Sequence, residues 1–418
     1  PRSTLFPYTT LFRSPVAGAA RGYGSPQIHA VTEINVENAA RALGMDPLEF
    51  RLMNIVRPGD PDPLGGPSLG NVQIEACLRK GAERFGWEKK LGRPRGNGRY
   101  RRGAGMAAIV HGNGYFGGYP EFSVVRISLL PDGGILVDSA LHDLGCGTVT
   151  VAAQIVAEAL GVDLESVRIL ESDTHRSPYD PAGTQACRVT YVCGEALRLG
   201  AETLKAKLLD RASDLLGTSR EGLRLEGGRI LDSRGTALTD LPALAARSIR
   251  ERMEPLALEY RYEARSNPGT YGANFAEVEV DTWTGLVEVL HIVAAHDIGR
   301  AVNPDFVRGQ IYGGIQMNLG FALYEEMPVS ASGLLRSGSL SRYHMVNAPI
   351  MPPVDIVLIE EGEPFGPYGA KSIGESSSIA TAPAVINAIN AALGTRISVL
   401  PATPERVVEA LACLDQDR

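Results

Sequence analysis

Hydrophobic residues recur at helical spacing between Gln27 and Leu43, where Ile28, Val31, Ile34, Val36, Ala39 and Leu43 form a stripe that ends before Gly44. Asp46-Pro47 predicts a short second helix to Asn54, with proline at its first position. A connector rich in proline and glycine, Arg57 to Gly70, separates it from a helix expected over 72–85. From Phe122 the period falls to two. Val125, Ile127 and Leu129 alternate, Pro131 to Gly134 makes a turn, and Ile135 to Leu141 returns as a second strand. Ala276, Val278 and Val280 alternate with Glu277, Glu279 and Asp281, turn at Thr282 to Gly285, and return over 286–293. Both hairpins end in a similar phrase, Ala140-Leu141-His142-Asp143-Leu144-Gly145 and Ala295-His296-Asp297-Ile298-Gly299. Each phrase leads into a long helix, over 148–160 and 303–324, so two related hairpin–loop–helix units are one reading and chance is the other. Helices are also expected over 195–216 and 379–393, and from Thr403-Pro404-Glu405 onward. The expected class is α+β, with mixed sheets flanked by helices.

Composition narrows the function. The chain has 418 residues, 44% hydrophobic and 21% charged, which is globular and long enough for two or three domains of roughly 150 residues. Pro1 to Ser14, PRSTLFPYTTLFRS, reads as the translation of a sequencing adapter and is set aside from fold reasoning. Without its Arg2 and Arg13 the formal net charge of −7 becomes more negative, which disfavours nucleic-acid binding through bulk positive charge. The expectation is that the natural chain extends upstream of Pro15 and that this is a C-terminal fragment, inactive alone. The basic run over 89–102, KKLGRPRGNGRYRR, reads first as a solvated loop. Five scattered cysteines without a C-x-x-C pair give neither a disulfide scaffold nor an iron–sulfur or zinc-ribbon site. No apolar run reaches membrane-spanning length, and a cytoplasmic location is expected.

Chemistry concentrates in glycine-rich loops: Ala20 to Gly24, Gly145-Cys146-Gly147-Thr148, Gly183 to Arg188, and Gly366 to Glu375. The second and fourth precede helices, where free N–H groups and the helix dipole favour an anion, although turn geometry alone explains many such loops. No P-loop or dinucleotide fingerprint is present. Glu375, in Ser372-Ile373-Gly374-Glu375-Ser376-Ser377-Ser378, leaves two readings open. It is a carboxylate placed at a helix start, or a general base whose basicity desolvation or nearby anions raise. No serine-hydrolase elbow occurs, and His142 and His296 are expected to hydrogen-bond within their turns.

The ordered set AARGYGSPQ, HDLGCGTVTVAAQIVAEALGV, ACRVTYVCGEAL, AAHDIGRAVNPDFVRGQIYGG and GPYGAKSIGESSS resembles the molybdopterin-binding large subunit of the xanthine dehydrogenase/aldehyde oxidase (molybdenum hydroxylase) family. The resemblance extends from Ala17 to Leu411. It implies that Glu375 is the glutamate taking a proton as water-derived oxygen attacks an electrophilic carbon. It further implies that Arg21 and Gly22 contact the cofactor, Arg21 and the Ala186 backbone lying near the metal. On the same resemblance Tyr23 matches an aromatic that stacks on ring substrates, and Tyr115 and Phe116 are either further substrate-facing aromatics or part of an exposed loop. Gly145, Cys146, Gly147, Thr148, Arg188, Gln310 and Gly374 fall in segments that hold the pterin and its phosphates. Residues 15–57 are then the remnant of a first molybdopterin-binding domain, 58–71 a linker, and 72–418 a second such domain.

The implied function is hydroxylation of a purine-like N-heterocycle. The alternatives are aldehyde oxidation, reductive dehydroxylation of an aryl-CoA, or a catalytically silent assembly subunit. The implied cofactor is molybdenum–molybdopterin in its cytosine dinucleotide form. The implied partners are a small [2Fe–2S] subunit and an FAD subunit in a hetero-oligomer. Two departures stand out. Cys146 replaces the glutamine of the family's Gly-Gln-Gly, and a thiol cannot make an amide's hydrogen bonds. Ser376-Ser377-Ser378 follows Glu375 where the family often has Pro-Pro. The carbon monoxide dehydrogenase branch is disfavoured, because Ala17 to Ala20 lacks its Cys-Ser loop.

Overall fold

The computed structural model describes residues 18–62, 69–91, 98–116 and 118–416. The adapter-like segment, the middle of the proline/glycine connector and residues 92–97 of the basic run lie outside the described residues. Helices α1 (Ser25–Ala42), α2 (Pro47–Asn54) and α3 (Ile74–Phe85) precede strand β1 (Tyr100–His111). The first hairpin, β2 (Phe122–Leu129) and β3 (Ile135–Ser139), leads into α4 (Thr148–Leu160). After β4 (Val167–Ile169), one π-helical turn at Val189–Cys193 runs into α5 (Gly194–Leu216). A small meander, β5 (Arg224–Glu226), β6 (Arg229–Leu231) and β7 (Ala237–Asp240), is followed by α6 (Leu241–Arg250) and β8 (Ala257–Glu263). The second hairpin, β9 (Thr270–Asp281) and β10 (Val287–Asp297), leads into α7 (Pro304–Leu323). Strand β11 (Val354–Ile359) and helices α8 (Thr381–Leu393) and α9 (Pro404–Gln416) complete the chain.

Among the described residues the strands form two four-stranded sheets, ordered β1-β9-β10-β11 and β4-β3-β2-β8, beside the meander. Each large sheet is antiparallel except for one parallel edge pair, β10–β11 and β3–β4. These are the expected mixed sheets flanked by helices. On the first sheet, Ala384, Ala388 and Ile389 of α8 pack against Ala107 and Val278, while Leu78 and Phe85 of α3 pack on the other face against Phe275 and Val293. On the second, Ile155 of α4 and Leu197 and Leu204 of α5 cover Val125, Ile127 and Val137. Helices α1 and α2 join at a buried ion cluster, Arg51 donating to Glu33 (2.8 Å) and Glu37 (3.2 Å).

Strand β1 was not visible in the pattern, because Gly103 and Gly105 weaken a strand's local signature. Their purpose is close packing. A Cβ at Gly103 would lie 2.2 Å from the Ala388 carbonyl oxygen of α8, and one at Gly105 2.2 Å from the Ala388 nitrogen. Gly105→Val is therefore expected to destabilise the protein by about 1–3 kcal/mol, read as a lowered urea midpoint. An unchanged midpoint would mean that α8 can lift from the sheet freely.

The basic run is not merely a solvated loop. Lys90, Arg102 and Arg99 reach the acids that alternate along β9, pairing with Glu277 (2.6 Å), Glu279 (2.7 Å) and Asp281 (2.6 Å). His296 also departs from expectation. It sits fully buried in β10, opposite Gly272, and neither ring nitrogen has a hydrogen-bond partner among the described residues. A Cβ at Gly272 would lie 2.7 Å from His296 Nδ1, so the glycine makes room for the ring.

Burial lowers the His296 pKa from 6.5 to about 4. The unfolded chain therefore takes up a proton that the folded chain refuses. Stability falls as pH drops below 6.5, and the fall ends near 4, where the folded ring also protonates. His296→Leu is expected to remove about 3 kcal/mol of that acid sensitivity, measured by urea titrations across the window. An unchanged slope would assign the loss to other groups.

Candidate active site

The two hairpin–loop–helix units deliver their loops to one place. A cleft of about 550 Å³ is lined by Gly145, Cys146 and Thr148 after β3, and by Arg300, Asn303 and Phe306 after β10. The units touch directly. The Asn303 side-chain amide donates to Gln154 of α4 (3.3 Å), and a Cβ at Gly147 would strike the Phe306 ring at 2.4 Å. Asn303 also caps α7, its Oδ1 accepting from the Phe306 N–H (3.1 Å).

The N–H groups of the Gly145-Cys146-Gly147 loop are already engaged. Asp143 Oδ1 accepts from Gly145 (2.8 Å), Cys146 (2.9 Å) and Gly147 (3.1 Å), and Oδ2 from Val149 (3.4 Å). These four N–H groups are therefore not free for an outside anion. Burial alone would raise the Asp143 pKa, but these four backbone donors hold it below the usual carboxylate value. The Cys146 thiol lies 3.2 Å from Thr148 Oγ1.

Arg21 joins segments far apart in sequence. Its Nε donates to the Gly374 carbonyl (2.5 Å), and one terminal nitrogen reaches the Gln310 carbonyl (3.2 Å), Gln310 Oε1 (3.1 Å) and Ser377 Oγ (3.0 Å). Burial lowers the pKa of this guanidinium, and the neighbouring Cys187 and Glu375 counteract that. Tyr23, Ala186 and Cys187 all hold left-handed φ angles of 53°, 51° and 55°, a costly conformation for residues with a Cβ.

Glu375 sits against His111, with Nε2 and Oε2 2.8 Å apart and the two side chains 12% and 17% exposed. The expected raised basicity is not what the protein alone provides. Burial pushes the carboxyl's pKa up, but His111, the Gly22 N–H and Cys187 pull it down by more, leaving it lowered overall. The group is thus an anion at neutral pH, able to accept a proton.

Of the residues singled out in the sequence, Arg21, Tyr23, Tyr115, Gly145, Cys146, Thr148, Ala186, Gln310, Gly374 and Glu375 line the cleft. Gly22 and Gly147 support it from behind, and Phe116 is not in its wall. Arg188, expected to contact the cofactor, points away into a wholly buried cluster with Glu121 and Asp180. Sequence reasoning missed His111, whose partner lies 264 residues away, and the Cys187 thiol. It also missed Arg300, an exposed cation on the cleft wall with no ion pair among the described residues. The glycine before Arg300, at the turn leaving β10, was the available signal.

The sequence pattern of a molybdopterin cofactor-binding domain family matches residues 80–352, and that of a second such family matches residues 8–55. The chain belongs to the molybdopterin cofactor-binding domain family. It is 37% identical over 410 residues to the xanthine dehydrogenase molybdenum-binding subunit of Escherichia coli O157:H7, covering 96% of this chain and 54% of the relative. It is 28% identical over 400 residues to an aldehyde oxidoreductase molybdenum-binding subunit of the same organism, covering 95% and 53%. Quinoline 2-oxidoreductase from Pseudomonas putida 86 superposes with a TM-score of 0.83 at 26% identity, over 94% of this chain and 53% of that one. The chain spans about half the length of these relatives. The chain is thus similar to molybdenum-binding subunits of the xanthine dehydrogenase/aldehyde oxidase type, the resemblance its motifs carried. The donor set fits such a cofactor. Arg21 and Arg300 face the cleft with the amide of Gln310, and the sole carboxylate among the described lining residues is Glu375.

Among the described residues no helix is long and apolar enough to cross a membrane.

Proposed function

We propose that this chain is the cofactor-holding part of a molybdenum hydroxylase acting on a purine-like N-heterocycle, with Glu375 as general base. The observation that carries the reading is the Arg21 clamp. Through Gly374 and Ser377 it fixes the loop that presents Glu375, and through Gln310 it ties that loop to α7. When bound, molybdenum–molybdopterin supplies the redox chemistry and accepts the electrons.

The protein supplies position and proton transfer. Arg300 offers the cofactor's phosphates a cation with no ion pair among the described residues, while Thr148 and Gln310 offer neutral donors. Tyr23 and Tyr115 stand on the wall where a flat ring can be flanked, and a Glu375 carboxylate oxygen takes the proton. The cytosine dinucleotide form, a [2Fe–2S] subunit and an FAD subunit for electron exit, and a cytoplasmic setting belong to the same reading. So does the division into 15–57, 58–71 and 72–418.

The test is the molybdenum-to-protein ratio of the full-length gene product, co-expressed with its genomic neighbours, followed by turnover on N-heterocycles and aldehydes. About one metal per chain with N-heterocycle turnover supports the reading. Turnover on aldehydes alone would move it to the second substrate class, which the likeness to the aldehyde oxidoreductase subunit favours. No metal, in a host that loads a related enzyme, would leave an assembly subunit.

A further inference from the structure

We propose that His111, Cys187 and Glu375 form a binding site for one thiophilic divalent cation of the Zn²⁺ class at the edge of the cleft. The three residues come from separate segments: the end of β1, the loop before the π-helical turn, and the loop before α8. Their donor atoms, a ring nitrogen, a sulfur and a carboxylate oxygen, all lie within 4.8 Å of one another. A mixed nitrogen–sulfur–oxygen set suits Zn²⁺, and three protein donors leave a fourth tetrahedral position for water, with Cys187 and Glu375 in the cleft wall.

The surroundings orient the donors, and the Arg21 guanidinium near Cys187 and Glu375 is a positive charge with which the cation shares the site. The other His111 ring nitrogen, Nδ1, lies 3.2 Å from Ser25 Oγ, a hydroxyl that can receive its proton when Nε2 turns to a metal. The Cys187 sulfur receives the Glu375 N–H at 3.0 Å and a further backbone N–H from Ser376, donors that favour a thiolate. Without a cation, burial and the Glu375 carboxylate push the Cys187 thiol up to about 12. Binding therefore releases one proton from sulfur to solvent, and the thiolate and carboxylate together neutralise the dication. The imidazole proton moves from Nε2 to Nδ1, and the His111–Glu375 contact gives way to two metal bonds. The site stands whether or not Glu375 is the base, since it rests on three donors and their partners. If Glu375 is the base, an occupied site takes up its lone pair and inhibits the loaded enzyme.

The probe is Co²⁺ added to the purified chain without cofactor. The expected result is one equivalent bound, with thiolate-to-cobalt charge-transfer absorption in the near ultraviolet, displaced by Zn²⁺. Cys187→Ser is expected to abolish that absorption and His111→Gln to weaken cobalt binding about tenfold or more. Cys146→Ser, which removes the other thiol of the cleft, should leave the absorption as it is. The proposal is overturned by wild-type protein without the absorption, by its survival in Cys187→Ser, or by its loss in Cys146→Ser. Should Cys187→Ser fail to fold, unchanged cobalt affinity in His111→Gln overturns it equally.

Discussion

Glu375→Gln is expected to lower the turnover number of the cofactor-loaded enzyme by about 10²–10⁴-fold while leaving its molybdenum content unchanged. The substitution keeps the side chain's size and its seat against His111 but removes the basic oxygen. A glutamine cannot accept a proton at neutral pH, so the loss is chemical rather than steric. Cofactor retention should survive because the Arg21 clamp meets backbone and hydroxyl groups of this loop, at Gly374 and Ser377, and not the Glu375 carboxylate. Turnover within a few-fold of the parent would remove Glu375 from the reaction. Lost metal would instead make it a structural part of the cofactor site. The two measurements together separate a base from a strut.

The sequence could be read wherever the determinants are local. Asn303-Pro304 announced α7 because a capping side chain and a proline act within one turn, and the structure has the helix starting there. The hairpins at 122–139 and 270–297 were legible because alternation records which face is buried. Strand β1 was not, since its glycines answer to α8, nearly three hundred residues later, and not to their neighbours. Strand β8 carried the same kind of signal, Leu258, Tyr260 and Tyr262 alternating with Glu259, Arg261 and Glu263 and packing on the core, and was overlooked rather than hidden. The site shows the same division. Motif order brought Arg21, Gln310 and Gly374 to one point, as the observed hydrogen bonds do. The His111 contact that lowers the Glu375 pKa is a tertiary accident of where β1 ends, and no spacing rule encodes it. Arg188 illustrates the converse: a residue inside a legible motif whose direction is set by acids outside it.

That direction carries the second large effect. Arg188→Met is expected to destabilise the protein by about 3–5 kcal/mol and to lower cofactor retention. The guanidinium is fully buried. It donates to Glu121 (2.8 Å), Asp180 (2.7 Å), the Gly183 carbonyl (2.9 Å) and the Phe122 carbonyl (2.6 Å). Glu121 and Asp180 are each only 1% exposed, so removing the cation strands two carboxylates away from water. Methionine fills much of the volume but offers neither charge nor donors, and the two carbonyls lose their partners as well. The consequence reaches the cleft through two chains of contact. Glu121 also accepts the Tyr115 N–H, and Asp180 accepts those of Ala182 and Gly183, at the start of the loop carrying Ala186 and Cys187. Urea unfolding and metal content of the variant measure both parts of the expectation. Adding Glu121→Gln and Asp180→Asn to Arg188→Met should restore part of the lost stability, since neutral amides no longer need the cation. Equal instability in the single and triple variants would show that packing, and not charge, is what Arg188 contributes.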